Sequence, residues 1–232
     1  AIPSATCDFC WNAGIVGDGG GIWNGGTMTS AYSTIAENKA GGGAFADTGG
    51  RGGGIFNVGQ LTFTKGTVAH NRAGNAGAYR RGRVLGRGGD GGGIFSQGTL
   101  HLSNSTLSGN QTGSGMFHPV GSYGGSYGPG GCGGGVFNTG IAELEYSTVS
   151  GNLTGGRGNW TTPGECDAYG GGVYNHPEAQ LKVTGLLLSE NKAKNQGPDC
   201  YGILTSQRFN LVQDAGYCIL AGDDTGNVIG QA

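Results

Sequence analysis

Carboxylate side chains are the first candidates for chemistry in this sequence, because enzymes that cleave polysaccharides work with clustered Asp and Glu residues. Glu143 and Glu145 are two residues apart, so in a β-strand both side chains lie on the same face. When the repeats of the chain are aligned, His101 and Lys182 become neighbours of Glu143. Charged residues commonly occupy exposed faces, so we interpret this group as a solvated patch. The other acidic residues are scattered, and the sequence predicts that the chain is not an enzyme.

The cysteines and histidines do not follow a metal-binding pattern. Cys7 and Cys10 form a Cys-x-x-Cys pair, but no second pair follows at the spacing of a zinc site. A redox-active Cys-x-x-Cys motif is typically followed by a helix, and the next residues do not predict one. We therefore expect the six cysteines to form structural disulfides, which implies an oxidising compartment.

Glycine-rich runs around Asp18 and Asp90 suggest two kinds of ligand site. A phosphate-binding loop needs Gly-Lys-Ser/Thr at its end, which is missing here. A calcium-binding β-roll repeats every nine residues with Asp, whereas the period here exceeds thirty. We expect no cofactor, with Ca²⁺ at Asp18 or Asp90 left as an open alternative.

Composition excludes several classes of protein. The 232 residues include 55 glycines, but glycine does not recur at every third position as in collagen. Lys and Arg number 13 against 15 Asp and Glu, so no basic surface for nucleic acid is expected. No stretch approaches the roughly 20 apolar residues of a membrane-spanning helix.

A repeat dominates the chain. The motif Gly-Gly-Gly-Ile-Trp-Asn at 19–24 returns in altered form at 52–57, 91–96, 133–138 and 170–175, each time followed by a second block that ends in Asn. From the Ile or Val of the first block to this Asn the distance is 16 residues in four copies and 18 in the fifth. The gap to the next copy varies from 17 to 26 residues. Constant inner spacing with variable gaps indicates stacked repeats whose connecting loops leave the stack.

Alignment of the copies places like residues in columns, and the first column contains Ile22, Ile55, Ile94, Val136 and Val173. The segment 61–64, Leu-Thr-Phe-Thr, alternates apolar and polar residues as a strand with one buried face does. We therefore predict an all-β, single-stranded parallel β-helix (β-solenoid) of about six coils, with long insertion loops and about 4.8 Å between coils. Residues 1–17 would form an N-terminal segment or cap, 18–195 the β-helix repeats, and 196–232 a terminal coil and cap.

Two further columns carry side chains of one kind. The first is predicted to form a turn ladder in which amide side chains bond from coil to coil, and it contains Asn38, Asn71, Asn110, Asn152 and Asn191. The second is aromatic and should face outward by strand alternation, and it contains Trp23, Phe56, Phe95, Phe137 and Tyr174. Either the long loops cover this stripe, which we favour, or it is a docking surface for a sugar polymer or a neighbouring subunit.

The long loops are the second candidate contact surface, because loops rich in Gly, Ser and Tyr resemble adaptable binding surfaces. Their candidate contact residues are Arg80, Arg81, Tyr123, Tyr127 and Trp160. Ordinary solvent-exposed insertions are the simpler interpretation of each loop taken singly.

The repeat at 91–110 resembles those of bacterial secreted β-helix proteins, namely the polymorphic-outer-membrane-protein-like and choice-of-anchor surface proteins of the pectin-lyase-like superfamily. The tail, with Asp-Cys-Tyr-Gly at 199–202 and Phe-Asn-Leu-Val at 209–212, resembles the segment that closes such arrays. The resemblance implies right-handed coiling, a secreted or cell-surface location, and a terminal cap closed by pairing of Cys200 with Cys218. The superfamily also contains polysaccharide lyases and hydrolases.

The other cysteine pairs are inferred from stacking. Cys132 and Cys166 both lie just before a Gly-Gly-Gly block in successive coils, so stacking would bring them together. Cys7 and Cys10 remain, to pair with each other or across a subunit contact.

Three functions follow from these observations. The first is an extracellular structural protein that self-associates into a surface layer or filament, because the open ends of a β-helix invite strand pairing. The second is an adhesin-like module that binds a surface polysaccharide, and the third is a polysaccharide-active enzyme, which the scattered carboxylates disfavour.

Overall fold

The computed structural model describes residues 16–43, 48–77, 86–118, 126–156 and 166–230, and all secondary structure within them is β. No helix in these ranges is long and apolar enough to cross a membrane. The strands, in chain order, are β1 (Ile22–Asn24), β2 (Thr27–Ala31), β3 (Thr34–Ala36), β4 (Ile55–Asn57), β5 (Gln60–Thr64), β6 (Thr67–Ala69), β7 (Ile94–Ser96), β8 (Thr99–Ser103), β9 (Thr106–Ser108), β10 (Phe117–His118), β11 (Ser126–Tyr127), β12 (Val136–Asn138), β13 (Ile141–Glu145), β14 (Thr148–Ser150), β15 (Val173–Asn175), β16 (Gln180–Thr184), β17 (Leu187–Ser189), β18 (Cys200–Arg208), β19 (Leu211–Val212), β20 (Cys218–Gly222) and β21 (Val228–Ile229).

Each repeat contributes three short strands, and each strand pairs in parallel with its counterpart in the next repeat. The first strands follow the order β1-β4-β7-β12-β15-β18, the second strands β2-β5-β8-β13-β16-β18-β20, and the third strands β3-β6-β9-β14-β17-β19-β21. The nine-residue β18 belongs to the first two stacks because its start pairs with β15 and its second half with β16. The antiparallel pair β10–β11 lies outside the stacks.

The register of the stacks agrees with the columns predicted from the repeat. Ile55 pairs with Ile22 on one side and with Ile94 on the other, and the column continues through Val136 to Val173. Inward side chains of neighbouring repeats therefore lie directly over one another and form one continuous core, in which Phe63 and Ile55 are completely buried. A single repeat has no second layer to cover its apolar face, so the neighbouring repeats supply it.

Left-handed backbone conformations at fixed positions turn the chain between strands. Before each first strand the turn residue is glycine, as at Gly52 with φ of 64°, where a Cβ atom would clash with the carbonyl oxygen of Ile55. After the second strand the corresponding position accepts larger residues, such as Lys65 and Asn104, both with φ of 50°. The glycine repeat therefore has a steric cause at the first turn.

The structure describes the C-terminal end of the stacked region up to residue 230, but it describes little of the N-terminal segment. Of the predicted segment 1–17 only residues 16 and 17 lie within the described residues. The predicted terminal segment contributes β18 to β21, and these strands continue the existing stacks in parallel register.

Candidate functional site

The aromatic side chains form a continuous row along the first stack. Ring centroids are 5.1 Å apart between Phe56 and Phe95, 5.1 Å between Phe95 and Phe137, and 4.9 Å between Phe137 and Tyr174. The ring planes are within 11° of parallel, and Tyr201 continues the row at 5.4 Å from Tyr174. The spacing follows from strand pairing, because identical positions on paired strands stack their side chains.

The row is covered over most of its length, which agrees with the favoured of the two alternatives for this column and not with an exposed docking stripe. Phe56, Phe95, Phe137 and Tyr174 are only 4–6 % exposed. The disulfide between Cys132 and Cys166 packs against the rings in the same buried cluster. Trp23, in the first repeat, is 61 % exposed and so keeps an accessible aromatic surface.

Two arginine–aspartate pairs lie beside the aromatic row. Arg51 bonds to Asp18 at 2.8 Å, and its guanidinium carbon is 4.8 Å from the ring centroids of both Phe56 and Phe95. The guanidinium therefore makes a cation–π contact with both rings. Arg87 holds both carboxylate oxygens of Asp90 at 2.6 Å.

These carboxylates also bond to the backbone of the following repeat. Asp18 accepts the amide of Arg51 at 2.7 Å, and Asp90 accepts the amide of Cys132 at 2.7 Å. Each aspartate thus links two repeats and orients its arginine. Both carboxylates are engaged with cations, which leaves little support for Ca²⁺ at either position.

A cleft of about 670 Å³ opens over this region. Its lining includes residues of both ion pairs and the aromatic residues Phe95, Phe137 and Tyr174. Thr139 and His176 line the part that lies over the fourth and fifth repeats. The cleft combines charged, hydroxyl, imidazole and aromatic groups, which is the composition of a polar ligand site.

Tyr174 keeps its proton throughout the physiological range. Burial, together with the neighbouring Tyr201 and Asp90, raises the pKa of its hydroxyl to about 12. The hydroxyl at the cleft therefore acts as a neutral hydrogen-bonding group.

Within the described ranges, the metal-ligating types of side chain that come together are those of Asp90, Cys132 and Cys166. The two sulfur atoms are joined in a disulfide, and a disulfide sulfur is not the thiolate that a metal requires. A second disulfide joins Cys200 and Cys218. The two bonds suggest an oxidising environment, whereas Cys7 and Cys10 lie outside the described residues.

The predicted asparagine column forms a ladder of side-chain hydrogen bonds. The Nδ2 atom of each asparagine donates to the Oδ1 atom of the next at 2.9–3.0 Å, and the column is Asn38, Asn71, Asn110, Asn152 and Asn191. Asp199 ends it by accepting the Nδ2 of Asn191 at 2.9 Å. A carboxylate suits this end because it accepts hydrogen bonds and needs no further acceptor beyond it.

A second amide ladder, which the sequence analysis did not identify, runs along the end of the first strands. Asn24 donates to Asn57 at 2.8 Å, and Asn138 donates to Asn175 at 2.8 Å. Between these pairs Asn57 donates to the hydroxyl of Ser96 at 3.0 Å. Four of five repeat copies carry Asn here, so repeat alignment contained the signal.

The acidic group considered for catalysis lies on the outward face of the second stack. His101 Nδ1 is 3.5 Å from Glu143 Oε2, and His101 Nε2 is 3.8 Å from Glu145 Oε2. Lys182 pairs in register with Glu143. The group is partly exposed and lies on the strand face away from the core, so it forms a surface charge row.

The loop residues proposed as contacts lie mostly outside the described part of the chain. This applies to Arg80, Arg81, Tyr123 and Trp160. Tyr127 lies in β11, which pairs with β10, and only its backbone is described.

Apolar side chains are exposed at both ends of the stacks. At the first repeat, Ile22 and Met28 occupy core columns and are only partly buried, although Ile55 and Leu61 in the next repeat are at most 1 % exposed. At the opposite end, Ile229 lies in register with the buried Val212 yet is 45 % exposed. The core columns thus extend to both ends without being covered by other described residues.

Comparisons with protein-family models, with curated proteins and with solved structures found no match. The resemblance of the repeats to bacterial surface proteins therefore stays a prediction.

Proposed function

We propose that this chain is an extracellular structural protein, folded as a single-stranded right-handed parallel β-helix of about six coils, that associates end to end with copies of itself. The coil architecture is supported by the strand order, in which every repeat contributes one strand to each of three parallel stacks. Handedness follows from the resemblance to bacterial surface β-helix proteins. The two disulfides agree with a secreted or cell-surface location.

The observation that carries the proposal is the exposure of core columns at both ends. Elsewhere along the described stacks the same columns are buried, as Ile94 and Val149 illustrate at 0 % exposure. Uncovered apolar columns favour contact with another surface. In the described residues, β20 pairs only with β18 and β21 only with β19, so each has one edge that meets no other strand.

A second copy of this chain is the partner that matches these ends. Its first repeat offers parallel edges at β1, β2 and β3, each paired on one side only among the described strands. Joining these edges to β20 and β21 of another copy would continue the same parallel pairing. Such a contact uses different surfaces on the two copies, so it repeats without closing and yields a filament.

The proposal assigns no reaction to the chain. Glu143 and Glu145 flank one histidine and align with one lysine on an outward strand face, and they lie apart from the cleft. General acid–base chemistry on a bound polymer would need them beside the ligand.

Sedimentation velocity over a range of concentrations, with electron microscopy of the same samples, tests this function. We expect concentration-dependent rods in the unchanged chain and their loss in Ile229→Lys, which places a charge on the exposed end of a core column. The matched control is Ile141→Lys, because Ile141 is 55 % exposed but lies in β13, which is paired on both sides. A monomer at every concentration, or equal association by both variants, would contradict end-to-end stacking.

A further inference from the structure

The cleft over the aromatic row is long and runs along the stacking direction. Its lining residues come from five successive repeats, represented in order by Asp18, Arg51, Asp90, Thr139 and His176. Paired strands lie about 4.8 Å apart, so four steps extend about 19 Å. A volume of about 670 Å³ lies within the range of small-molecule sites. An open site of this length suits a segment of an extended chain better than a compact cofactor.

The charges of the cleft compensate one another. Asp18 bonds to Arg51 and Asp90 bonds to Arg87, so two carboxylates balance two guanidinium groups. A charged ligand would have to displace one partner and leave a second charge without its counterion, which is costly at partly buried positions. A hydroxyl group avoids this cost, because it accepts from a guanidinium and donates to a carboxylate at the same time.

The remaining polar groups also suit hydroxyl ligands. His176 Nδ1 accepts the backbone amide of Glu178 at 3.3 Å, so the neutral ring carries its proton on Nε2 and is a donor there. Thr139 Oγ1 donates to the carbonyl of Ser96 at 3.4 Å and keeps its lone pairs for an incoming donor. The hydroxyl of Tyr174 is a further neutral group.

Trp23 provides a separate observation from the same aromatic row. It pairs in register with Phe56, and its six-membered ring fills the space that a side chain at Gly25 would need. One region of the ring thus lies against backbone while the side chain is 61 % exposed. A large apolar ring held in this way is a surface on which the CH groups of a sugar pack.

We propose that this cleft binds an uncharged, hydroxyl-rich chain molecule, a neutral oligosaccharide segment, lying along the stack axis. The ion pairs and the imidazole bind its hydroxyl groups, and the exposed Trp23, outside the lining of the cleft, offers a further apolar surface in the first repeat. This binding function is separate from end-to-end association and uses residues away from β20 and β21.

Titration calorimetry with cello-, xylo- and manno-oligosaccharides, each in a series of increasing length, tests the proposal. At least one series is expected to bind with an affinity that rises with length until the cleft is filled. Oligogalacturonate of matched length is expected to bind more weakly, because it brings charge into a compensated site. No binding by any neutral series, or tighter binding of oligogalacturonate, would overturn the proposal.

Two variants locate the binding in the cleft. Thr139→Trp fills the cleft and is expected to abolish binding, whereas His176→Ala removes one donor and is expected to weaken it roughly fivefold. The control is His101→Ala, the same change on the outward face of the second stack, which should bind as the unchanged chain does. Circular dichroism and sedimentation of each variant establish that fold and association are retained. Unaltered affinity in a folded Thr139→Trp variant would refute the assignment to this cleft.

Discussion

Replacing Asn110 with Ala removes the middle member of the amide ladder. Asn110 is completely buried and makes side-chain bonds to both neighbouring repeats. Its Oδ1 accepts the backbone amide and the Nδ2 of Asn71, each at 3.0 Å. Its Nδ2 donates to the carbonyl of Val68 and to Oδ1 of Asn152, each at 2.9 Å.

The expected loss follows from the groups left behind. The buried amide of Asn71 loses its acceptor, which costs about 1–3 kcal/mol, and three further bonds each contribute about 1 kcal/mol. We therefore expect Asn110→Ala to lower the free energy of unfolding by about 5 kcal/mol. For a chain of this size the thermal midpoint should fall by about 15 °C.

Asn38→Ala is the matched comparison, because Asn38 begins the same ladder but is only partly buried. Its side chain donates to Asn71 and to the carbonyl of Ala36, and among the described residues it accepts no bond. Water can replace these contacts, so the expected loss is about 1 kcal/mol and about 3 °C. Thermal and urea unfolding followed by circular dichroism measures both. Equal destabilisation by the two substitutions would refute the argument that buried ladder bonds are the cause.

Three other outcomes follow from the same structure. Replacing both Cys132 and Cys166 with Ser removes a disulfide with a sequence separation of 34, so the free energy of unfolding should fall by about 3–4 kcal/mol. A reductant should then lower the stability of this variant less than it lowers that of the unchanged chain. Phe95→Ala leaves a gap between two stacked rings and should lower the free energy of unfolding, measured with urea, by about 3–5 kcal/mol. The matched change Trp23→Ala, at an exposed ring, should lower it by less than about 1 kcal/mol. Similar losses in the two variants would contradict ring packing as the cause. Folding raises the pKa of Tyr174 to about 12, so the stability that this residue contributes is complete below the unfolded pKa near 10 and is lost as the pH rises toward 12. The free energy of unfolding of Tyr174→Phe should therefore fall less steeply between pH 10 and 12 than that of the unchanged chain. An equally steep fall in both proteins would contradict the raised pKa.

The stacked architecture could be predicted from the sequence because the information is periodic. A constant distance from Ile55 to Asn71 and from Ile94 to Asn110 requires those positions to align in space. The register of the three stacks and the asparagine ladder agree with that alignment. The pairing of Cys132 with Cys166 followed from the same alignment, because both cysteines lie shortly before the Gly-Gly-Gly block of adjacent repeats.

The residues that line the cleft could not be predicted from the repeat, because the contacts between them do not recur from one repeat to the next. Asp18, Arg51 and Asp90 occupy equivalent positions in the first three repeats, but Cys132 and Tyr169 follow in the next two, so this position forms no column of one residue type that would reveal the ion pair. Arg87 comes from a connecting segment of variable length, so its contact with Asp90 was not implied by the repeat spacing.

Strand alternation by itself determined that the aromatic side chains point away from the core. Whether they are exposed was decided by the tertiary structure, because the disulfide and neighbouring aromatic side chains pack against Phe95 and Phe137, whereas Trp23 stays accessible. The repeated motif specifies how each repeat packs on its neighbour, because every interior repeat meets the same surfaces on both sides. The aperiodic loops and the two ends, where one neighbour is missing among the described residues, specify which surfaces remain for binding.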